Sequence, residues 1–342
     1  MKTILITGGA GFIGSSFAHY LHEKYPQYRL IVLDALTYAG NVENLPGGGF
    51  HKDNLEFWHG NVNNGELVDT LVAKSDVVLH FAAETHVTRS IYDNLIFFKT
   101  DVLGTQAVTN AVCKYRERIE RFIHISSSEV YGTAQAPAMD ENHALCPASP
   151  YAAAKVGADR LVYSYWATYG IPAVIVRPFN NYGPRQHLEK LIPRFITSCL
   201  LDETLTVHGD GKALRDWMHV DDHCRALDLI LHLDIRKISG EVINLGSGCS
   251  VAIRDIAEII CRKMDMPLSK INYIGDRPAQ VFRHTSATEK AERVLGWKTQ
   301  IDFEKGLDMT IAWYKSNADW WRKQLWMRRI PIITAAGKRE MH

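Results

Sequence analysis

Three features of this 342-residue chain predict an α/β fold, a doubly wound parallel sheet followed by a smaller C-terminal α/β lobe. Short apolar runs without polar alternation recur between helical patterns through the first half, the signature of strands covered on both faces. Glycines cluster directly behind the first of these runs. After about Asn180 the rhythm changes to shorter elements with more turns. The length suits two domains, or one large α/β unit with an appended lobe.

The elements follow in order. Thr3–Thr7 (TILIT), Leu30–Leu33 (LIVL), Val77–Phe81 (VVLHF), Phe122–Ser126 (FIHIS) and Ala173–Arg177 (AVIVR) read as buried strands. Helical patterns fill Ile13–Tyr25, Gly65–Ala73, Val102–Tyr115 and Pro150–Tyr169. In the second lobe a helix is expected near Leu191–Leu201, then a strand-like Leu205–His208 and a turn at Gly209-Asp210-Gly211. The last third ends in an aromatic-rich helix with Trp313, Tyr314, Trp320, Trp321 and Trp326. These rings are read as packing or a subunit contact rather than a carbohydrate platform. Residues 1–180 are expected to form the first domain with some later segments returning to it, residues 181–330 an interleaved lobe, and residues 331–342 a tail without pattern.

Composition narrows the function. Apolar residues make up 46% and charged residues 23%, enough apolar surface to offset the entropy of ordering, so disorder is excluded for the bulk of the chain. A formal net charge of +1 offers no long-range field for nucleic acid or an anionic membrane. Any anionic ligand must be held by locally placed groups. No apolar run approaches the ~18 residues of a transmembrane helix. Lys2 and the apolar run behind it mimic a secretory signal, but Gly8, Gly9, Gly11 and Gly14 break it. Cys113, Cys146, Cys199, Cys224, Cys249 and Cys261 are scattered without a C-x-x-C pair, so a reduced, cytoplasmic protein is expected.

Gly8-Gly9-Ala10-Gly11-Phe12-Ile13-Gly14 follows the first strand and opens a helix. Glycines 8, 11 and 14 permit a tight turn, close approach of a pyrophosphate to the backbone, and close helix–strand packing; the helix start offers N–H groups to the phosphates. Asp34 ends the second strand 20 residues after Gly14. A carboxylate there accepts from an adenosine ribose and repels a 2′-phosphate, so NAD is expected rather than NADP. Tyr151 and Lys155 stand four apart on one helical face, where an ammonium favours a phenolate able to act as a base. Upstream, Ser126-Ser127-Ser128-Glu129-Val130-Tyr131-Gly132 closes a buried strand and brings hydroxyls and a carboxylate to the same end.

The G-x-x-G-x-x-G spacing, the Tyr–Lys pair and the serine-rich strand end resemble the extended short-chain dehydrogenase/reductases, whose sheet is of Rossmann type. Asp34–Asn41, Ala82–Ser90, Asn180–Pro184, Glu189–Pro193 and Arg215–His223 are similar to NDP-glucose 4,6-dehydratases, especially the dTDP-glucose branch. The resemblance implies a catalytic set of Ser127, Ser128, Glu129, Tyr151 and Lys155. It adds Asn61, Val62, Ala82 and Ala83 to Gly8, Gly11, Phe12, Ile13, Gly14 and Asp34 around NAD. It assigns Thr85, Asn180, Lys190, Leu191, Arg215, Asn244 and Arg277 to a dTDP- or UDP-linked sugar held in the C-terminal lobe. It also implies a homodimer formed by the helices near Val102–Tyr115 and Tyr151–Tyr169.

There are departures. Ser128 stands where the dTDP-glucose enzymes carry the aspartate that protonates the departing hydroxyl. Ala279-Gln280 replaces Gly-His, and Asn61 replaces an acid. All these enzymes begin by oxidising C4. Dehydration, with Glu129 removing the C5 proton, is the expected continuation; oxidative decarboxylation of an NDP-uronate is the alternative, followed by 4-epimerisation. A non-catalytic sensor is disfavoured by the intact Tyr151, Lys155 and Ser127. No metal is expected: His219-Val-Asp-Asp-His223 reads as a helix start with Asp221 and Asp222 as caps.

Overall fold

The computed structural model of the chain describes residues 1–49, 54–276, 280–328, 331–333 and 339–341. Six strands come first: β1 (Thr3–Thr7), β2 (Arg29–Asp34), β3 (Leu55–His59), β4 (Val77–His80), β5 (Arg121–Ile125) and β6 (Ala173–Pro178). The chain then leaves through β7 (Asn180–Tyr182), β8 (Leu205–His208) and β9 (Leu214–His219) and returns at β10 (Val242–Leu245). One seven-stranded sheet results, in the order β10-β6-β5-β4-β1-β2-β3, with every neighbouring pair parallel.

Successive side chains of a strand point to opposite faces, and here both faces are apolar. Ile4 and Ile6, Leu30 and Val32, and Val77 and Leu79 enter one core; Leu5, Ile31, Leu33 and Val78 enter the other. This is why these strands read as unbroken apolar runs. β3 escaped the sequence reading because it is the edge strand and only Leu55 is fully buried. Its Glu56 is turned to an ion pair with Arg29 at 2.6 Å.

Local chemistry fixes the helix that carries Tyr151 and Lys155. Ser149 accepts from the N–H of Ala152, Pro150 occupies the first turn, and Gly170 closes Pro150–Tyr169 in the left-handed conformation at φ 65°. Before it, Phe98–Gly104 is wound as a π-helix leading into Thr105–Lys114, so the helix expected at Val102–Tyr115 begins inside a wider turn.

The second lobe is built on β9, flanked antiparallel by β11 (Ser250–Ala252) and parallel by β7 and β13 (Arg283–His284). β8 pairs separately with β12 (Ile271–Ile274). Tyr182, Phe195, Trp217, Ile256, Tyr314, Trp320 and Trp321 form its core. The chain returns to the first sheet: helix Val220–His232 sends Val220, Cys224, Leu227 and Ile230 into the first core, and β10 completes the sheet.

The aromatic stretch expected as one helix is three pieces, Phe303–Ser316, Ala318–Arg322 and Leu325–Met327. Trp313 and Trp320 meet edge to face at 5.0 Å, whereas Trp326 is exposed. In the tail, Pro331–Ile333 pairs antiparallel with Arg339–Met341, an order that the sequence reading did not anticipate.

Candidate functional site

A single cleft of about 420 Å³ runs along the carboxyl ends of the sheet strands into the second lobe, within the ~300–1,000 Å³ usual for small-molecule sites. It crosses the gap between β1 and β4, where the strand order reverses, the position at which open α/β sheets bind ligands.

The glycine loop forms one wall. Gly8 has φ +68°, and a Cβ there would lie 2.5 Å from the backbone N of Ala82, so neither the turn nor the approach to β4 admits a side chain. A Cβ on Gly14 would lie 2.5 Å from the Gly8 carbonyl. Gly11 caps helix Phe12–Lys24 without a side-chain acceptor, and the first helical N–H groups lack intrahelical partners. Gly11, Phe12, Ile13 and Gly14 all line the cleft, as do Asn61, Val62, Ala82 and Ala83.

Asp34 accepts from the N–H of Ala10 at 2.9 Å and of Leu36 at 2.8 Å. Burial raises its pKa against these backbone donors. It thus ties two loops together, and each oxygen keeps a further lone pair for a ribose hydroxyl. Bare backbone donors at one end and a carboxylate at the other suit an adenine dinucleotide, so these residues fit NAD.

Midway along, Ser127, Glu129, Tyr151 and Lys155 line the same cleft. Burial pushes the Tyr151 phenol upward, Asp101 and Glu129 add to this, and hydrogen bonds from Ser127 and Thr85 oppose it. Lys155 donates to the Ile125 carbonyl at 2.8 Å and is fully enclosed, with its own pKa lowered by burial and raised by Asp101 and Asp159.

Behind Lys155 lies a buried polar network. Asp159 receives Ser126 Oγ at 2.7 Å and two guanidinium N–H groups of Arg177 at 2.9 Å each. Arg177 also donates to the Tyr131 hydroxyl at 2.9 Å.

Toward the second lobe, Thr85, Asn180, Lys190, Leu191 and Arg215 reach the cleft. Lys190 Nζ donates to both the carbonyl and the hydroxyl of Thr85. Beneath them Glu189 has a fully buried side chain, 3.1 Å from Arg89 Nε and 3.5 Å from Lys190 Nζ. Burial would raise its pKa, but His86, Lys190, His187 and Arg89 together hold it at about 2. Arg89 in turn lies over the Tyr38 ring at 4.2 Å.

Among the described residues, two predicted site residues are not brought to the cleft. Ser128 is buried and does not line it; its hydroxyl lies 3.5 Å from His284 Nδ1. Asn244 is also absent from the walls: it accepts from Tyr131 Oη at 2.7 Å and donates to the Met139 carbonyl at 3.0 Å. Its amide is spent on packing β10 against the loop behind the site. Arg277 lies outside the described residues.

Asp221 and Asp222 are corrected as caps. His219 is the N-cap, accepting from the N–H of Asp221 at 3.3 Å. Asp222 instead receives the N–H groups of Gln300 and Ile301 at 2.9 and 3.0 Å. His223 Nδ1 lies 3.0 Å from Asn181 Oδ1.

The sequence reading missed Glu84, Asp101, Glu189, Trp217 and Gln280 as groups in or beside the cleft. Glu84, Glu189, Trp217 and Gln280 line it, and Asp101 stands behind it with its carboxyl accepting the Glu84 N–H at 2.7 Å. Burial pushes Asp101 up to about 7. Glu84, Glu189, Trp217 and Gln280 lie inside or beside the family-like segments, but no spacing rule marks them as site residues.

The chain matches the pattern of the family described as GDP-mannose 4,6 dehydratase over residues 5–310. It is 40% identical over 323 residues to a dTDP-glucose 4,6-dehydratase of Actinoplanes sp., covering 93% of this chain and 99% of that one. It is 43% identical over 312 residues to a low-salt glycan biosynthesis protein of Haloferax volcanii, covering 91% and 98%. The solved dTDP-glucose 4,6-dehydratase of Streptomyces venezuelae, with NAD bound, superposes with a TM-score of 0.89 at 39% identity, over 94% of this chain and 99% of that chain.

Proposed function

The chain belongs to the GDP-mannose 4,6 dehydratase family, within the extended short-chain dehydrogenase/reductases, and from that premise we propose that it is an NAD-dependent nucleotide-sugar 4,6-dehydratase. The observation that carries this reading is one cleft lined by the glycine loop, Ser127, Glu129 and Tyr151 together. Its substrate is a dTDP- or UDP-linked hexose, a choice supported by the relatives named dTDP-glucose 4,6-dehydratase.

Gly8, Gly11, Phe12, Ile13, Gly14 and Asp34 would hold the dinucleotide, with Asn61, Val62, Ala82 and Ala83 along its length. Bound NAD supplies the hydride acceptor for oxidation at C4 and the hydride donor for the final reduction at C6. Tyr151 takes the O4 proton as a phenolate, a state that burial opposes and that hydrogen bonds from Ser127 and Thr85 favour. The C4 carbonyl acidifies C5, and Glu129 removes that proton. Because the Ser128 hydroxyl is turned away from the cleft, Glu129 also returns the proton to the departing C6 hydroxyl. Thr85, Asn180, Lys190, Leu191 and Arg215 hold the nucleotide diphosphate in this reading, with charge-assisted donors matched to phosphate.

The test is mass spectrometry of products from dTDP-glucose, UDP-glucose, UDP-N-acetylglucosamine and UDP-glucuronate. Loss of water from a hexose is the expected result. Loss of CO2 from the uronate alone would replace dehydration by decarboxylation.

The proposal extends to a cytoplasmic homodimer. Leu95, Phe98, Leu103, Tyr163 and Tyr169 are exposed on neighbouring helical segments, an apolar face of the kind that marks subunit contacts. Sedimentation velocity should give a dimer, and Leu103→Asp should shift it toward monomer.

A further inference from the structure

Ser128 leaves the site without a second acid in the strand-end motif, yet a titratable group stands directly behind that motif. His284, on β13, is completely buried. Its Nε2 lies 2.7 Å from the Gly132 carbonyl. A carbonyl oxygen only accepts, so Nε2 carries the hydrogen and the neutral ring presents its lone pair at Nδ1. Nδ1 faces Glu129 Oε1 at 3.8 Å and Ser128 Oγ at 3.5 Å. Register holds it there, because β13 pairs with β9 through His284 opposite Arg215. Reading outward from the core, the order is imidazole, carboxylate, cleft.

The ionisable groups around the ring oppose one another. Burial lowers the pKa of His284 most strongly; the Glu129 carboxylate raises it; Arg215 and His143 lower it. The net direction is downward, so at neutral pH the ring is an acceptor at Nδ1. An acceptor at Nδ1 is placed to receive a hydrogen bond from the Glu129 carboxylic acid that forms midway through the elimination.

We propose that His284 is a positioning residue acting through Glu129, and that it enables one carboxyl group to serve as both base and acid. The inference rests on the dehydratase reading above. In the first half Glu129 takes the C5 proton, and the C–H electron pair passes into the C4–C5 enolate. The Glu129 carboxylic acid is then steered by the His284 lone pair. In the second half the proton moves to the C6 hydroxyl, the C6–O bond breaks with its electron pair leaving on water, and Glu129 is again a carboxylate. His284 gains and loses no proton over the step. Ser128 donates to the same Nδ1 while Glu129 is ionised, and so holds the ring in one orientation through both halves.

The experiment uses the full-length enzyme with NAD and the hexose substrate that the wild type dehydrates, followed in a single turnover. His284→Phe should leave cofactor reduction within about twofold while slowing water loss ~10²-fold, the lower end of general acid–base contributions. In the wild type the elimination rate should fall as pH drops through the depressed pKa of His284, and this limb should vanish in the variant. A merely structural role would slow both steps together and leave the limb in place.

Should His284→Phe fail to fold, nitrogen-15 NMR of the wild-type imidazole supplies an independent reading. It should report the Nε2–H tautomer at pH 7, and Glu129→Gln should lower the ring's pKa by removing the neighbouring anion. An Nδ1–H tautomer, or a pKa indifferent to Glu129, would overturn the proposal. If the wild type dehydrates a hexose but His284→Phe matches it in both steps, only this inference falls. Absence of water loss from the wild type would overturn the dehydratase reading and this inference with it.

Discussion

At the scale of single residues, the chemistry divides between two groups whose removal has different signatures. Tyr151→Phe removes the only acceptor proposed for the O4 proton, so cofactor reduction should be abolished, with a loss of at least ~10²-fold. Glu129→Gln should permit C4 oxidation and then stall with reduced cofactor accumulated, as seen by absorbance in a single turnover. Exchange of the C5 hydrogen with deuterated solvent that survived Glu129→Gln would remove Glu129 as the base. These residues were legible in the sequence because each sits in a contiguous motif with a fixed spacing. His284 was not legible: its partners Ser128 and Glu129 are more than 150 positions away, and only the pairing of β13 with β9 brings them together. Ser128 and Asn244 show the converse. The family resemblance put them at the site, but each side chain turns toward neighbours in the interior.

The elements carry the precision of the site. Gly8→Ala would force a Cβ into the Ala82 backbone at a positive φ, a conformation whose strain alone costs ~1–3 kcal/mol. Urea unfolding should show a loss of at least that size, together with weaker retention of NAD. The buried Asp159–Arg177 pair makes a second test. Asp159→Asn leaves the Arg177 guanidinium without its anion, and breaking one half of a buried pair costs ~3–5 kcal/mol. Replacing both, as Asp159→Leu with Arg177→Met, should recover most of that loss in the same unfolding experiment. Strands β1, β2, β4, β5 and β6 were legible to within two residues because both faces are apolar. β3 and the π-helical Phe98–Gly104 were not, since edge exposure dilutes the first signal and helix periodicity does not distinguish a wider turn.

For the whole molecule, Glu189 links the second lobe to the first through Arg89 and His86. Its folded pKa of about 2 lies below the ordinary value of 4.5. A depressed carboxylate contributes stability that is fully present above its unfolded pKa and is lost as pH falls toward the folded one. The urea midpoint of the wild type should therefore drop from about pH 5 to about pH 3 more steeply than that of Glu189→Gln. Equal slopes would show that the charge of Glu189 is not what joins the lobes. The near-neutral composition pointed to locally held anions, but which charges bridge the lobes depends on how the chain threads back on itself.

That threading has a consequence for biosynthesis. β6 is synthesised long before its outer neighbour β10, with the whole run from β7 to helix Val220–His232 between them. At ~5–20 residues per second, a nascent chain carries an unprotected parallel edge for several seconds, the kind of template that recruits other strands. The ribosome thus delivers an incomplete sheet that only the arrival of Val242–Leu245 can close, and a chain stalled before that point is a client for chaperones rather than a smaller enzyme.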